Sequence, residues 1–208
     1  MITIESGVLK DASSADVSYE IVSGIDPILS LRADQAWSAY FLKVIDKLAL
    51  DNPGEDVRNL FSQNGINDQH WRWFNKTFVL SDPNTYEWFY LIADNDIQAV
   101  AVVFHPKISR FDTDQIIYID YLAVAPWNRN TVIADKRFSG LGSKLIKVLN
   151  LHLGKALSYR EGFSLHSLAQ AKTYYESIGM KDFGPDSNKH DMHYFEMEAS
   201  IARGYIYA

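Results

Sequence analysis

Between residues 136 and 147 the chain sets Lys136, Arg137, Lys144 and Lys147 around the spacing Arg137-x-x-Gly140-x-Gly142-Ser143. A turn of this kind feeding a helix is chemically suited to phosphate. N–H groups at a helix start have no intrahelical acceptor, the helix dipole adds partial positive charge, and glycines let a ligand approach without a Cβ in the way. The four cations would help to neutralise a polyanion in a chain whose formal net charge is −6. The same spacing also suits a plain tight turn that caps a helix.

What surrounds the turn favours the phosphate reading. Ile116, Ile117, Tyr118, Ile119, Tyr121, Leu122 and Val124 form a run too continuous for a half-exposed strand. The run is therefore expected to be a central strand covered on both faces and ended by Pro126. After the turn, Leu141, Leu145, Val148, Leu149 and His152 recur at the spacing of one helix face. Strands alternating with helices after a hairpin predict a mixed α/β sheet with both faces covered.

Three segments then carry a family resemblance: Leu122-Ala123-Val124-Ala125-Pro126, Arg137-x-x-Gly140-x-Gly142-Ser143, and Ala171-Lys172-Thr173-Tyr174-Tyr175-Glu176-Ser177-Ile178-Gly179-Met180. In this order they resemble the acyl-CoA-binding strand, pyrophosphate loop and late helix of the GNAT superfamily of acyl-CoA N-acyltransferases. The resemblance covers roughly Tyr86 to Phe195. It implies a GNAT-like mixed β-sheet flanked by helices, in which two neighbouring parallel strands splay apart and the pantetheine arm lies in the gap as an added strand would. Here those strands are Leu122 to Val124 and Phe163 to His166. Two departures stand out. Pro126-Trp127-Asn128-Arg129 matches the opening of the family's loop, yet Val132 occupies the place of the first glycine, so that about eight residues are inserted before Gly140. Leu168 stands where the family often has asparagine.

By resemblance, the backbone of Leu122, Ala123 and Val124 meets the pantetheine, while the amides of Arg137, Phe138, Ser139, Gly140, Leu141, Gly142 and Ser143 hold the pyrophosphate of acetyl-CoA. The reaction this implies, an amine attacking a thioester, needs a neutral amine, a stabilised oxyanion and a proton for the departing thiolate. Asp120, the acid within the central strand, is a candidate base, with burial expected to raise its pKa. It could equally face a solvated edge or pair with a cation. His166, at the end of the facing strand, is a second candidate base. Tyr175, four residues before Gly179, takes the place of the family's proton-donating tyrosine, with a structural tyrosine as the alternative; Tyr174 is expected in the core. No metal is implied. The leading reading is an N-acetyltransferase acting on a small-molecule amine, a peptide N-terminus or a lysine. The alternatives are a non-catalytic acyl-CoA sensor or interaction protein on the same fold and, against the net acidity, a tRNA-directed toxin relative. Residues 130–136 are expected to shape acceptor access or to form a solvated loop.

Bulk properties agree. A length of 208 residues suits one domain, and 47% hydrophobic with 13% aromatic residues argues against disorder. Net acidity disfavours general nucleic-acid binding. The absence of cysteine excludes disulfides and thiolate chemistry. No leader pattern and no apolar run of roughly 20 residues is present, so a cytoplasmic protein off the membrane is expected; a homodimer is one assembly open to it.

Along the chain, residues 1–16 read as a loose extension with a short strand at Ile2 to Ile4, followed by a strand from Val17 to Ile21. Asp26-Pro27 starts a long helix ending at Pro53-Gly54. A second helix carries Val57, Leu60 and Phe61 inward and ends at Asn64-Gly65. Asn67 or Asp68 is expected to cap a third, whose Trp71, Trp73 and Phe74 either wall an acceptor pocket or pack the core. Tyr86 to Ala93 and Ile97 to Phe104 form a hairpin stopped by His105-Pro106. The helix from Leu141 should reach about Tyr159, and a helix over Leu168 to Ile178 and strands over Met180 to Phe183 and Met192 to Met197 precede a tail at 199–208.

Overall fold

The computed structural model describes residues 1–64, 66–133 and 136–208, with the side chains of Val57, Arg58 and Ser62 outside the description. In order the elements are β1 (Ile2–Lys10), β2 (Asp16–Ser23), α1 (Pro27–Asp51), α2 (Val57–Gln63), α3 (Trp73–Val79), β3 (Tyr86–Ala93), β4 (Asp96–Ile108), β5 (Gln115–Val124), α4 (Leu141–Leu157), β6 (Phe163–Ser167), α5 (Lys172–Ser177), β7 (Lys181–Asp186), β8 (Met192–Glu196) and α6 (Ala199–Tyr207). The strands form a mixed, mostly antiparallel sheet in the order β1-β2-β3-β4-β5-β6-β8-β7. Among the described residues no helix is long and apolar enough to cross a membrane.

The chain divides into two compact units. The first comprises Met1–Ser81, Tyr90–Val100 and Ala123–Gly142. Its N-terminal residues are not a loose extension: β1 runs to Lys10 and pairs antiparallel with β2. The run ITIESGVLK is polar enough for that strand to expose most of its side chains, which is why it reads weakly in the sequence. Asp26 caps α1 as expected, its carboxylate accepting from the N–H groups of Ile28 and Leu29 at 2.7 and 2.9 Å. The buried stripe of α1 is Leu29, Ala33, Trp37, Tyr40, Phe41, Val44 and Leu48, the three- and four-residue spacing of an amphipathic helix.

Helix α3 departs from expectation. It begins at Trp73, and its cap comes from α1: Asp34 accepts from the N–H groups of Trp73 and Phe74 at 2.8 and 2.9 Å. A cap borrowed across 39 residues of chain leaves no local signature. Of the aromatic cluster, Trp73 is core and stacks edge-on against Trp37 and Trp71, while Trp71 and Phe74 are half-buried. The gap lined by Trp37, Phe41, Asp68, Trp71 and Trp73 measures only about 10 Å³, room for at most a water. The expected inward turn of Val57 and the helix end at Gly65 fall outside the described residues.

The second unit comprises Asp82–Phe89, Ala101–Leu122 and Ser143–Ala208. Its core draws on Ile116 to Ile119, Leu145, Ile146, Leu149, Phe163, Leu165, Phe195 and Met197, all buried. Strand β5 pairs parallel with β6 through Ile117 with Phe163, Tyr118 with Ser164 and Ile119 with Leu165, and there the pairing stops. Strand β5 continues to Val124 and β6 to Ser167. Burial changes at the same point: Ile116 to Ile119 are buried, Asp120 to Leu122 half-buried. The expected splay of two parallel strands is therefore present.

Several boundaries in this unit differ from the sequence reading. Strand β4 passes through His105-Pro106, a cis peptide, to Ile108. Helix α4 stops at Leu157, with Ser158 in a left-handed conformation and its N–H on the carbonyl of Gly154. The expected helix over 168–178 is a 3-10 turn at Ala169–Ala171 followed by the short α5. Gly184-Pro185 lies inside β7, whose pairing with β8 shifts register between Asp182 and Pro185. The C-terminal tail is helix α6, which buries Ala202 and Ile206.

Candidate functional site

In the first unit, β5 leaves into a loop held by side-chain amides. Gln98, 1% exposed, accepts through Oε1 from Trp127 Nε1 at 2.9 Å and Asn128 Nδ2 at 2.7 Å, and its backbone carbonyl accepts from the Ala125 N–H at 2.8 Å. Asn128 Oδ1 in turn accepts from the Phe138 N–H at 2.9 Å, so this one of the expected pyrophosphate amides is already engaged. Arg129, the match to the family's loop arginine, donates through Nε to the Val124 carbonyl at 2.6 Å and through both terminal nitrogens to the Asp68 carboxylate at 2.7 Å each. Asp68, expected as a helix cap, is thus a bidentate anchor for Arg129. The Val124 carbonyl carries one bond before any ligand arrives. Arg137 is ion-paired with Asp94.

The glycine turn itself is open. Gly140 has φ +72, a left-handed conformation that disfavours other residues, and a Cβ built there meets nothing within 4 Å. At Gly142 a Cβ would meet only Val124 Cγ2, at 3.5 Å. The N–H groups of Ser139, Gly140, Leu141, Gly142 and Ser143 take no acceptor among the described residues. Ser139 and Gly140 are exposed, whereas Phe138 and Leu141 are buried and anchor the turn from below. Successive free amides around a left-handed glycine at a helix start make an anion cradle, and acyl-CoA pyrophosphate fits that donor set. Two residues of the 130–136 insertion, 134 and 135, lie outside the described residues.

In the second unit, Ser143 Oγ and the Tyr174 hydroxyl share a hydrogen bond of 2.7 Å, and the Tyr174 hydroxyl shares another of 2.9 Å with that of Tyr205 on α6. Tyr174 is therefore not simply core. It is half-buried and ties the first turn of α4 to α5 and α6. Tyr175, expected to donate a proton, is 7% exposed, its ring against Tyr174 and Phe195. Its hydroxyl takes no hydrogen-bond partner among the described residues. Burial pushes the phenol well above its usual range, so the group is neutral and able to donate.

His166 has both ring nitrogens engaged, Nδ1 with the Tyr118 hydroxyl at 2.7 Å and Nε2 with Asp186 Oδ2 at 3.1 Å. Burial holds the imidazole below its ordinary pKa, against the opposing pull of Asp186. Asp186 is itself held low by the Asn188 N–H and by His166, so it is ionised and can only accept. Nε2 then carries the proton, and Nδ1 accepts from Tyr118. No nitrogen of His166 is left to take a proton from an amine. Asp120 stands differently: its side chain is 16% exposed, with Lys189 Nζ at 3.9 Å. After burial, the Asp120 charge is the next cause that raises the phenols of Tyr118, Tyr121 and Tyr86. Sequence reasoning missed Tyr118, Asp186, Lys189 and Tyr205, because each gains meaning only from strands or helices distant in the chain. A cavity of about 220 Å³ in this unit, lined by Ile117, Asn150, Gly154, Tyr159, Arg160 and Ile206 among others, includes none of the expected site residues.

No protein-family model matches this sequence, and no curated protein sequence matches it. Solved structures do. A nucleotide-linked sugar GNAT, FdhC, superposes with a TM-score of 0.52 at 9% identity, over 95% of this chain and 93% of its own. A protein of the GNAT acetyltransferase family from Desulfovibrio desulfuricans gives 0.51 at 10% identity over 87% and 99%. An acetyltransferase from Thermus thermophilus gives 0.50 at 8% identity over 85% and 96%. At such identities the likeness speaks for the fold: this chain has the fold of the GNAT acetyltransferases.

Proposed function

We propose that the protein is an N-acetyltransferase that moves the acetyl group of acetyl-CoA to a primary amine. The observation that carries this reading is the row of amides from Ser139 to Ser143, without an acceptor among the described residues, around Gly140 at φ +72, on a fold whose parallel strands β5 and β6 part after three residue pairs. The amides hold the pyrophosphate, and the backbone of Leu122 to Val124 lies along the pantetheine, through its N–H groups where Arg129 already occupies the Val124 carbonyl. Backbone amides of that stretch face the developing oxyanion. Asp120 takes the proton of the attacking amine, as the C–N bond forms and the C–S bond breaks. The neutral Tyr175 hydroxyl donates to the departing thiolate. His166, with neither nitrogen free, positions Tyr118 beside Asp120 instead of acting as the base.

Binding and turnover test this separately. Asparagine and aspartate both tolerate left-handed backbone, so Gly140→Asn and Gly140→Asp differ mainly by a negative charge set in the cradle. Calorimetry with CoA should show Gly140→Asp weakened at least tenfold more than Gly140→Asn; equal affinities would remove the turn from the reading. Thiol release from acetyl-CoA across an amine panel then reports the activity itself, and release from none of the amines would sink it.

A further inference from the structure

The tyrosine beside the candidate base is flanked by two ammonium groups. Lys107 Nζ lies 5.8 Å and Lys189 Nζ 5.9 Å from the centroid of the Tyr118 ring. Lys107 closes β4 and is half-buried; Lys189 ends the 3-10 turn between β7 and β8, its side chain 46% exposed. Only one carboxylate, Asp120, answers them: it sits 3.9 Å from Lys189, while Lys107 pairs with no carboxylate among the described residues. The next nearest charges are committed elsewhere. Asp186 meets His166 and Arg110, and the Arg110 guanidinium lies 3.8 Å over the Tyr194 ring. At the Tyr118 ring two ammonium groups therefore answer one carboxylate, a surplus of one positive charge among these three side chains, in a chain of net charge −6.

That surplus has a consequence for whatever binds Asp120. A plain amine, cationic at neutral pH, would have to displace Lys189 from Asp120 and would then face that ammonium group, with Lys107 at the same Tyr118 ring, a like-charge arrangement that opposes binding. A molecule with an anion beside its amine can exchange partners: its anion takes Lys189 and Lys107, and its nitrogen takes Asp120. A 3.9 Å contact to a half-exposed lysine is weak enough to be exchanged in this way. We propose that the acceptor is a primary amine carrying an anionic group, bound with nitrogen toward Asp120 and anion toward Lys107 and Lys189. The proposal rests on the acetyltransferase reading for the word acceptor, but its binding chemistry can be tested without turnover.

The experiment is calorimetric titration of the protein, alone and with CoA present, with aminoalkanoic acids from glycine to 6-aminohexanoate and with the amide of each. Phosphoethanolamine against ethanolamine makes the same comparison for phosphate. At least one amine carrying an anionic group should bind about tenfold more tightly than its cationic partner that lacks the anion. Lys107→Gln should reduce that preference severalfold; Lys189→Gln should reduce it and also strengthen binding of the amines that carry no anion, because Lys189 no longer competes for Asp120. Both lysines lie near the surface, and a thermal melt confirms that the variants fold. Equal binding of acids and amides, or no binding by any compound, would overturn the proposal. A charge preference in binding with no thiol release from any amine would uphold it and remove the acetyl transfer instead.

Discussion

Two strand carboxylates of the second unit, Glu196 on β8 and Asp120 on β5, have opposite surroundings. Glu196 is fully buried and accepts from Ser109 Oγ at 2.6 Å, the Arg110 N–H at 2.8 Å, Arg160 Nη2 at 2.8 Å and the Tyr194 hydroxyl at 3.0 Å. Four donors leave it nothing to offer a ligand. They fasten the loop after β4 and the segment after α4 to the edge of β8. Asp120 keeps 16% of its side chain exposed, with the half-exposed Lys189 at 3.9 Å. A saturated buried carboxylate builds structure, whereas one left at the end of a strand pairing and still partly exposed can bind and take a proton.

The largest effect should come from breaking the saturated cluster. Glu196→Ala leaves the Arg160 guanidinium, whose side chain is only 9% exposed, without its buried partner. Removing one side of such a pair costs roughly 3–5 kcal/mol, which urea unfolding would register as a large fall in midpoint at unchanged slope. Asp120→Asn should move stability by less than about 1 kcal/mol yet lower kcat/KM roughly 10²- to 10⁴-fold. If the two variants proved equally destabilising, or Asp120→Asn left turnover intact, the contrast between them would vanish.

Two neighbouring tyrosines sharpen the same contrast on a smaller scale. The Tyr175 hydroxyl has no protein partner among the described residues, so Tyr175→Phe should leave stability and acetyl-CoA KM unchanged while lowering kcat about 10²-fold. Tyr174→Phe breaks the links to Ser143 and Tyr205 and should cost about 1–2 kcal/mol of stability, with the milder loss of turnover. Reversed roles would place the donor on Tyr174.

How much of this was legible depended on range along the chain. The Asp26 cap, the apolar stripe of α1, the β5 run and the glycine turn are written in residues a few positions apart, and the sequence reading finds them. The Asp34 cap on α3, the Asp68–Arg129 pair and the bonds of Glu196 to Ser109, Arg110 and Arg160 join residues 39, 61 and 36 to 87 positions apart, which no local spacing encodes. The candidate site divides the same way. Asp120 stood out as an acid in an apolar strand, but that His166 has both nitrogens occupied follows only from Tyr118 on β5 and Asp186 on β7. Helix α6 was missed because it is short and its ASIARGYIY run buries only two side chains.

The smallest predicted effect concerns His166, which shares the exposed side of the contrast through Tyr118. Its imidazole is held below the ordinary value mainly by burial, with Lys189 and Arg110 adding to the depression and Asp186 opposing it. The unfolded chain, with histidine near 6.5, then binds this proton at a higher pH than the folded protein does. Linkage makes stability rise with pH in that interval, so the contribution is present above about 6.5 and is lost as acidification proceeds toward the folded-state value. His105, also depressed by burial, adds a slope of the same sign. Asp186, depressed below the usual carboxylate value, acts in a separate window, near and below pH 4. His166→Gln should therefore reduce, without abolishing, the stability slope just below pH 6.5, by less than about 1.4 kcal/mol per pH unit. Urea midpoints at half-unit pH steps would measure it. A slope identical to wild type would mean that His166 is equally protonated in both states, and that the hydrogen-bond directions assigned from Tyr118 through His166 to Asp186 are wrong.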